Sequence, residues 1–113
     1  MTGLGARGEE DVCALLLARG AVILARNYRC RRGEIDIVAA LGGYLLFVEV
    51  KARSEGSLAR PAESVTAAKK KKLTITAQYY LMGHTTELQP RFDVADVVYV
   101  RGVPQIDYIE NAF

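Results

Sequence analysis

A chain of 113 residues, half of them hydrophobic and a quarter charged, has the size and balance of one globular domain spanning 1–113, with a modest core and no room for a second. A formal net charge of +2 is too small to establish nucleic-acid binding by itself, so the distribution of charge carries the information. The two cysteines, Cys13 and Cys30, lack metal-ligand spacing, which reads as reduced thiols of a cytoplasmic protein rather than a disulfide framework.

Residues 4–19 predict a helix closed by Gly20, with Glu9, Glu10 and Asp11 in its early part, where carboxylates suit the dipole. Its apolar run from Val12 to Ala18 follows acids and is too short for a membrane span. Glu9 shares a face with Val12, Cys13 and Leu16; if that stripe packs on a sheet, Glu9 points inward near the edge. Residues 21–28 predict a first strand. An arginine-dense passage follows at 26–32, where Arg26, Arg29, Arg31 and Arg32 offer forks for phosphate and Tyr28 a ring for stacking. The same passage also suits a solvated strand end that blocks edge aggregation.

Residues 33–51 predict a hairpin, with β-branched runs either side of Gly42-Gly43. Alternation puts Ile35 and Ile37 on one face of its first strand and Glu34 and Asp36 on the other. On the second strand Val48 and Val50 face one way, Glu49 and Lys51 the other. Pairing these strands brings Asp36, Glu49 and Lys51 to one surface. Clustered carboxylate oxygens suit a divalent cation, and a cation beside a phosphate suits phosphodiester chemistry. The competing reading is a buried Glu49–Lys51 ion pair, which leaves Asp36 without a partner.

A loop at 53–60 leads to a helix at 62–82, started by Pro61 and stopped by Gly83, with Val65, Leu73, Ala77, Tyr80 and Leu81 along one stripe. Lys69, Lys71 and Lys72 wrap its first turns as phosphate contacts or as a solvated face. His84 falls in a polar loop. Residues 91–101 predict a strong strand whose alternation slips near Ala95, the mark of a bulge. Asp93 within it is either salt-bridged to Arg91 or a lysine, or part of the chemistry. Residues 105–109 predict a last edge strand.

Asp36 on one strand with Glu49-Val50-Lys51 on its partner resembles the PD-(D/E)xK nuclease motif, with Ile35 where proline often precedes the aspartate. Gly8-Glu9, Arg26-Asn27-Tyr28-Arg29, Gly33-Glu34-Ile35-Asp36, Phe47-Val48-Glu49-Val50-Lys51, Arg91-Phe92-Asp93-Val94 and Asn111-Ala112-Phe113 together resemble the uncharacterised YraN-like family, related to Holliday-junction resolvases. The loop 54–60 departs from that family's Phe-Gly-containing loop. The resemblance implies a restriction-endonuclease-like α/β sandwich, a central mixed sheet flanked by helices. It implies a site at Asp36, Glu49 and Lys51. Glu9 joins the two acids as ligand of Mg²⁺ or Mn²⁺, and Glu34 is second choice for the metal.

The reaction expected is metal-dependent cleavage of DNA, including branched recombination or repair intermediates; a homodimer would suit symmetric cutting. Two other readings are a non-catalytic nucleic-acid-binding module and an interaction protein with a structural acidic cluster.

Overall fold

The computed structural model describes residues 3–56 and 66–113. The chain forms α1 (Leu4–Ala18), β1 (Val22–Cys30), β2 (Gly33–Leu41), β3 (Tyr44–Ser54), α2 (Ala67–Gly83), β4 (Gln89–Val100) and β5 (Val103–Ile109). The strands lie in chain order in one five-stranded sheet. Every neighbour is antiparallel except β3 and β4, which run parallel because α2 crosses over between them. Val12, Cys13 and Leu16 of α1 pack on one face against Ile37, Leu46, Val48 and Val97. Leu73, Ala77 and Tyr80 of α2 cover the other, against Ile35, Val38, Leu45 and Phe47. The result is the expected α/β three-layer sandwich of nuclease-like type. Among the described residues no helix is long and apolar enough to cross a membrane.

Several boundaries differ from the sequence expectation. β1 runs on to Cys30, so Arg29 as well as Arg26 belongs to the strand. β3 continues through Arg53 to Ser54. α2 begins at Ala67 instead of 62, because the Thr66 hydroxyl caps it by accepting the Lys69 N–H at 3.2 Å. The expected start at Pro61 and the stripe position Val65 lie outside the described residues. β5 starts at Val103 and takes Pro104, as an edge strand can.

No bulge interrupts β4 at Ala95. Its pairing with β3 and β5 runs without a shift; Ala95, Val97 and Tyr99 face the α1 core and Phe92 the α2 core. The slip in the sequence pattern reflects a strand covered on both faces, where apolar residues need not alternate.

Two glycines set how closely the helices approach the sheet. A Cβ on Gly8 would stand 2.8 Å from the Cβ of Ala52 on β3, and one on Gly33 would stand 2.9 Å from the Thr76 hydroxyl on α2. Each is a neighbour in sequence of an acid, Glu9 and Glu34, so the close approach also fixes where those acids stand.

Asp93 is fully buried and holds the end of the fold together. It accepts from Arg91 Nε and Nη2, both at 2.9 Å, from the Tyr108 hydroxyl at 2.7 Å and from the Asn111 N–H at 2.9 Å. The salt bridge with Arg91 is therefore its structural role. Asp93→Ala strands those donors, and a loss of about 3 to 5 kcal/mol is expected in urea unfolding. A loss below about 1 kcal/mol would mean that the network does not anchor β5.

Candidate active site

Regular alternation would put Ile35 and Ile37 on one face, but Ile37 packs toward α1 and Ile35 toward α2. The partner strand reverses at the same level. Arg26, paired with Ile37, reaches Glu10 on α1, whereas Tyr28, paired with Ile35, packs under α2. Asn27, between them, takes up the reversal with a φ of 53°, in the left-handed region that asparagine tolerates better than most residues. The residue between Ile35 and Ile37 on the opposite strand is Asp36.

That reversal frees Asp36 from the sheet. The β2–β3 ladder ends at the Ile37–Val48 pair. Beyond it the Val50 N–H donates to Asp36 Oδ2 at 2.8 Å, so a side chain takes the place of the strand carbonyl that would have continued the pairing. The Asp36 carboxyl thus lies in the gap between two parting strands. Glu49 meets it there, and Lys51 Nζ stands 3.6 Å from Glu49 Oε1. All three residues of the motif converge.

Burial first, and the charge of Glu49 second, push the Asp36 pKa up to about 7 against the pull of the Val50 N–H. Glu49 is also raised by burial, while Lys51 and Lys69 act to lower it. The physical content is one proton held between two half-buried carboxyls, with Asp36 donating to Glu49.

The two sides of this gap differ in charge. On the α1 side an open cleft of about 1090 Å³ is bordered by Glu9, Glu10, Asn27, Glu34 and Asp36, with Arg7, Arg26 and Arg29. Glu9 is raised by burial and then by Asp36, with an opposing hydrogen bond from Asn27. Glu9 therefore feels Asp36, yet among the described residues no three His, Cys, Asp or Glu side chains cluster closely enough to share a cation. On the α2 side a smaller cavity of about 180 Å³ is lined by Glu34, Glu49, Lys69 and Lys72. Lys69 is lowered chiefly by its neighbour Lys51.

The arginine passage divides. Arg26 pairs with Glu10 at 2.6 Å and Arg29 with Glu34 at 3.4 Å. Arg31 and Arg32 form the exposed β1–β2 turn; Lys69, Lys71 and Lys72 are exposed on α2, and Lys69 and Lys72 lean over the small cavity. His84 stacks on the Tyr80 ring at 4.0 Å. Sequence reasoning passed over Asn27 and over Glu10 as the partner of Arg26. The available signal was an asparagine, poor in strands, amid a strand-like run.

The profile of the Uncharacterised protein family UPF0102 matches residues 8–97, a span that holds Glu9, Asn27, Asp36, Glu49, Lys51 and Lys69. A UPF0102 protein of Lachnoclostridium phytofermentans is 47% identical over 111 residues, covering 96% of this chain and 91% of its own. One of Methylobacillus flagellatus is 41% identical over 113 residues, covering 100% and 98%. One of Symbiobacterium thermophilum is 46% identical over 95 residues, covering 83% and 80%.

A raised carboxyl pKa has a definite linkage sign. The folded state keeps a proton that the unfolded state releases, so stability falls as pH climbs from 3.8 through about 7 and levels off above. Asp36→Asn keeps an oxygen for the Val50 N–H and removes the charge. In EDTA the variant is expected to exceed wild type by roughly 1 to 3 kcal/mol at pH 8, with the gap closing toward pH 4. Chemical unfolding across that range checks it; a variant less stable at every pH would make Asp36 a structural ion-pair partner.

Proposed function

The chain belongs to the Uncharacterised protein family UPF0102, the YraN-like family that its motifs resemble, and from that premise we propose that it is a metal-dependent endonuclease hydrolysing phosphodiesters in DNA. The observation that carries this reading is the pair of Asp36 and Glu49 in the gap between β2 and β3, with Lys51 beside Glu49. Two half-buried carboxyls that resist ionising together form a hard oxygen donor set, and Mg²⁺ is commonly held by one or two carboxylates with waters completing its shell. The donor chemistry therefore fits Mg²⁺ or Mn²⁺ at Asp36 and Glu49, with Glu9 adding negative charge from across the cleft. When bound, the cation polarises the phosphate and lowers the pKa of an attacking water.

The remaining work falls to the chain itself. The Val50 N–H fixes the Asp36 carboxylate. Lys51 orients the attacking water and offsets the charge that grows on the phosphate oxygens. Lys69, on the α2 side, adds positive charge beside Lys51. Arg31, Arg32, Lys71 and Lys72 are exposed around the same side and suit the phosphates flanking the cleaved bond. Arg26 and Arg29, held by Glu10 and Glu34, suit the cleft wall better than the substrate.

The test is a cleavage screen over linear duplex, branched and single-stranded DNA and RNA, with Mg²⁺ or Mn²⁺ against EDTA. Cleavage of DNA in metal is expected, and Glu49→Gln and Lys51→Met should each lower it by about a hundredfold or more. Salt-dependent binding without cleavage of any substrate would replace the enzyme by a non-catalytic binding module. In a separate titration, removing one of Arg31, Arg32, Lys71 or Lys72 should reduce the log–log salt slope of binding by about one. An unchanged slope for all four would remove this face from the interface.

A further inference from the structure

We infer that Asp96 is a positioning residue of this site: it offers Lys51 a second carboxylate when Glu49 is engaged by a cation, and so keeps the ammonium at the reacting phosphate; the inference rests on the functional reading above. β3 and β4 run parallel without a shift, and their register pairs Lys51 with Asp96. Residues paired in this way point to one face of the sheet, here the face of Phe47 and Phe92. Asp96 thus stands beside Lys51, one strand over, on the side away from Asp36. It is 9% exposed, and among the described residues its Oδ1 has no hydrogen-bond partner. Asp107 of β5 pairs with it from the other side and brings a like charge.

A buried carboxyl oxygen without a donor is costly, so it calls for a use. Burial raises the Asp96 carboxyl; the charge of Arg53 acts to lower it and that of Asp107 to raise it. Arg53 follows Lys51 on the same face of β3, but its register partner is Val98, and its own Nε is buried without a partner. The two unpartnered atoms therefore do not bond one another. Lys51 meanwhile stands 3.6 Å from Glu49 Oε1, too long for a close charged hydrogen bond. A divalent charge on Glu49 repels the ammonium, which must then find another acceptor or turn into solvent. Asp96 is the carboxylate that the register places beside it.

The experiment compares wild type, Asp96→Asn, Lys51→Met and the double variant by calorimetric Mn²⁺ titration, thermal unfolding in EDTA, and NMR of isotope-labelled lysine side chains as Mg²⁺ is added. Asp96→Asn is expected to unfold at the wild-type temperature or higher, yet to bind Mn²⁺ about tenfold more weakly, because Lys51 stays on Glu49. In the Lys51→Met background the same change should alter Mn²⁺ affinity by less than about twofold, since Asp96 acts through Lys51. In wild type the Lys51 signal should move as Mg²⁺ binds and remain apart from the solvated lysines; in Asp96→Asn it should join them. Arg53→Gln should leave Mn²⁺ affinity unchanged. Equal losses from Asp96→Asn with and without Lys51, a loss in Arg53→Gln matching that of Asp96→Asn, a lower unfolding temperature for Asp96→Asn in EDTA, or a Lys51 signal that Mg²⁺ does not move would each overturn the inference alone. Failure of the wild type to bind Mn²⁺ or Mg²⁺ at all would overturn the functional reading and this inference with it.

Discussion

One hydrogen bond organises the candidate site: the Val50 N–H given to the Asp36 side chain, where a strand carbonyl would ordinarily receive it. A backbone donor inside a protein must find an acceptor, so two strands can part only if something replaces the lost ladder. Here the replacement is a carboxylate. The bond therefore ends the β2–β3 pairing and pins Asp36 in the gap with one operation. Glu49, the neighbour of Val50, necessarily arrives at the same place, and Lys51 follows on the same face of β3. The motif's spacing is the spacing of this exchange.

The helices then act on the two sides of the gap. Gly8 lets α1 come close enough for Glu9 to stand at the cleft, and Gly33 does the same for α2 and its lysines. The acidic and basic sides of the site arise from this arrangement: α1 lends carboxylates, α2 lends ammonium groups, and the parting strands lie between them. Half-buried carboxyls held near one another keep a proton toward neutral pH, and ionising both is a cost to the fold.

Much of this was legible in the sequence. Seven elements in order, a mixed sheet and the meeting of Asp36, Glu49 and Lys51 followed from periodicity, turn residues and motif spacing. What the pattern could not carry was the reversal at Asn27 and Asp36. Strict alternation puts Ile35 beside Ile37, and nothing in a period of two announces that both strands turn over together; only the asparagine within a strand hinted at it. Likewise β4 read as slipped at Ala95 because alternation loses meaning where both faces are covered. The expected helix start at Pro61 was set by a sound proline rule, but the cap at Thr66 decides where α2 begins. Charge runs were the least informative: four arginines in one passage look alike in sequence, while two of them are bound to Glu10 and Glu34.

The parallel pairing of β3 with β4 carries a kinetic meaning. The β2–β3 hairpin closes through Gly42-Gly43 and is a local event, whereas Tyr44 meets Gln89 only after α2 has been laid across the sheet. Local closure of the hairpin is enough to bring Asp36 and Glu49 near one another, whereas Lys69 reaches them only through the long-range closure that sets α2 on the sheet. The two acids are thus joined by a short loop, and the compensating lysine by a long one. The topology therefore separates the charges of the candidate site: the acids meet across a tight turn, and the lysine of α2 arrives across the crossover.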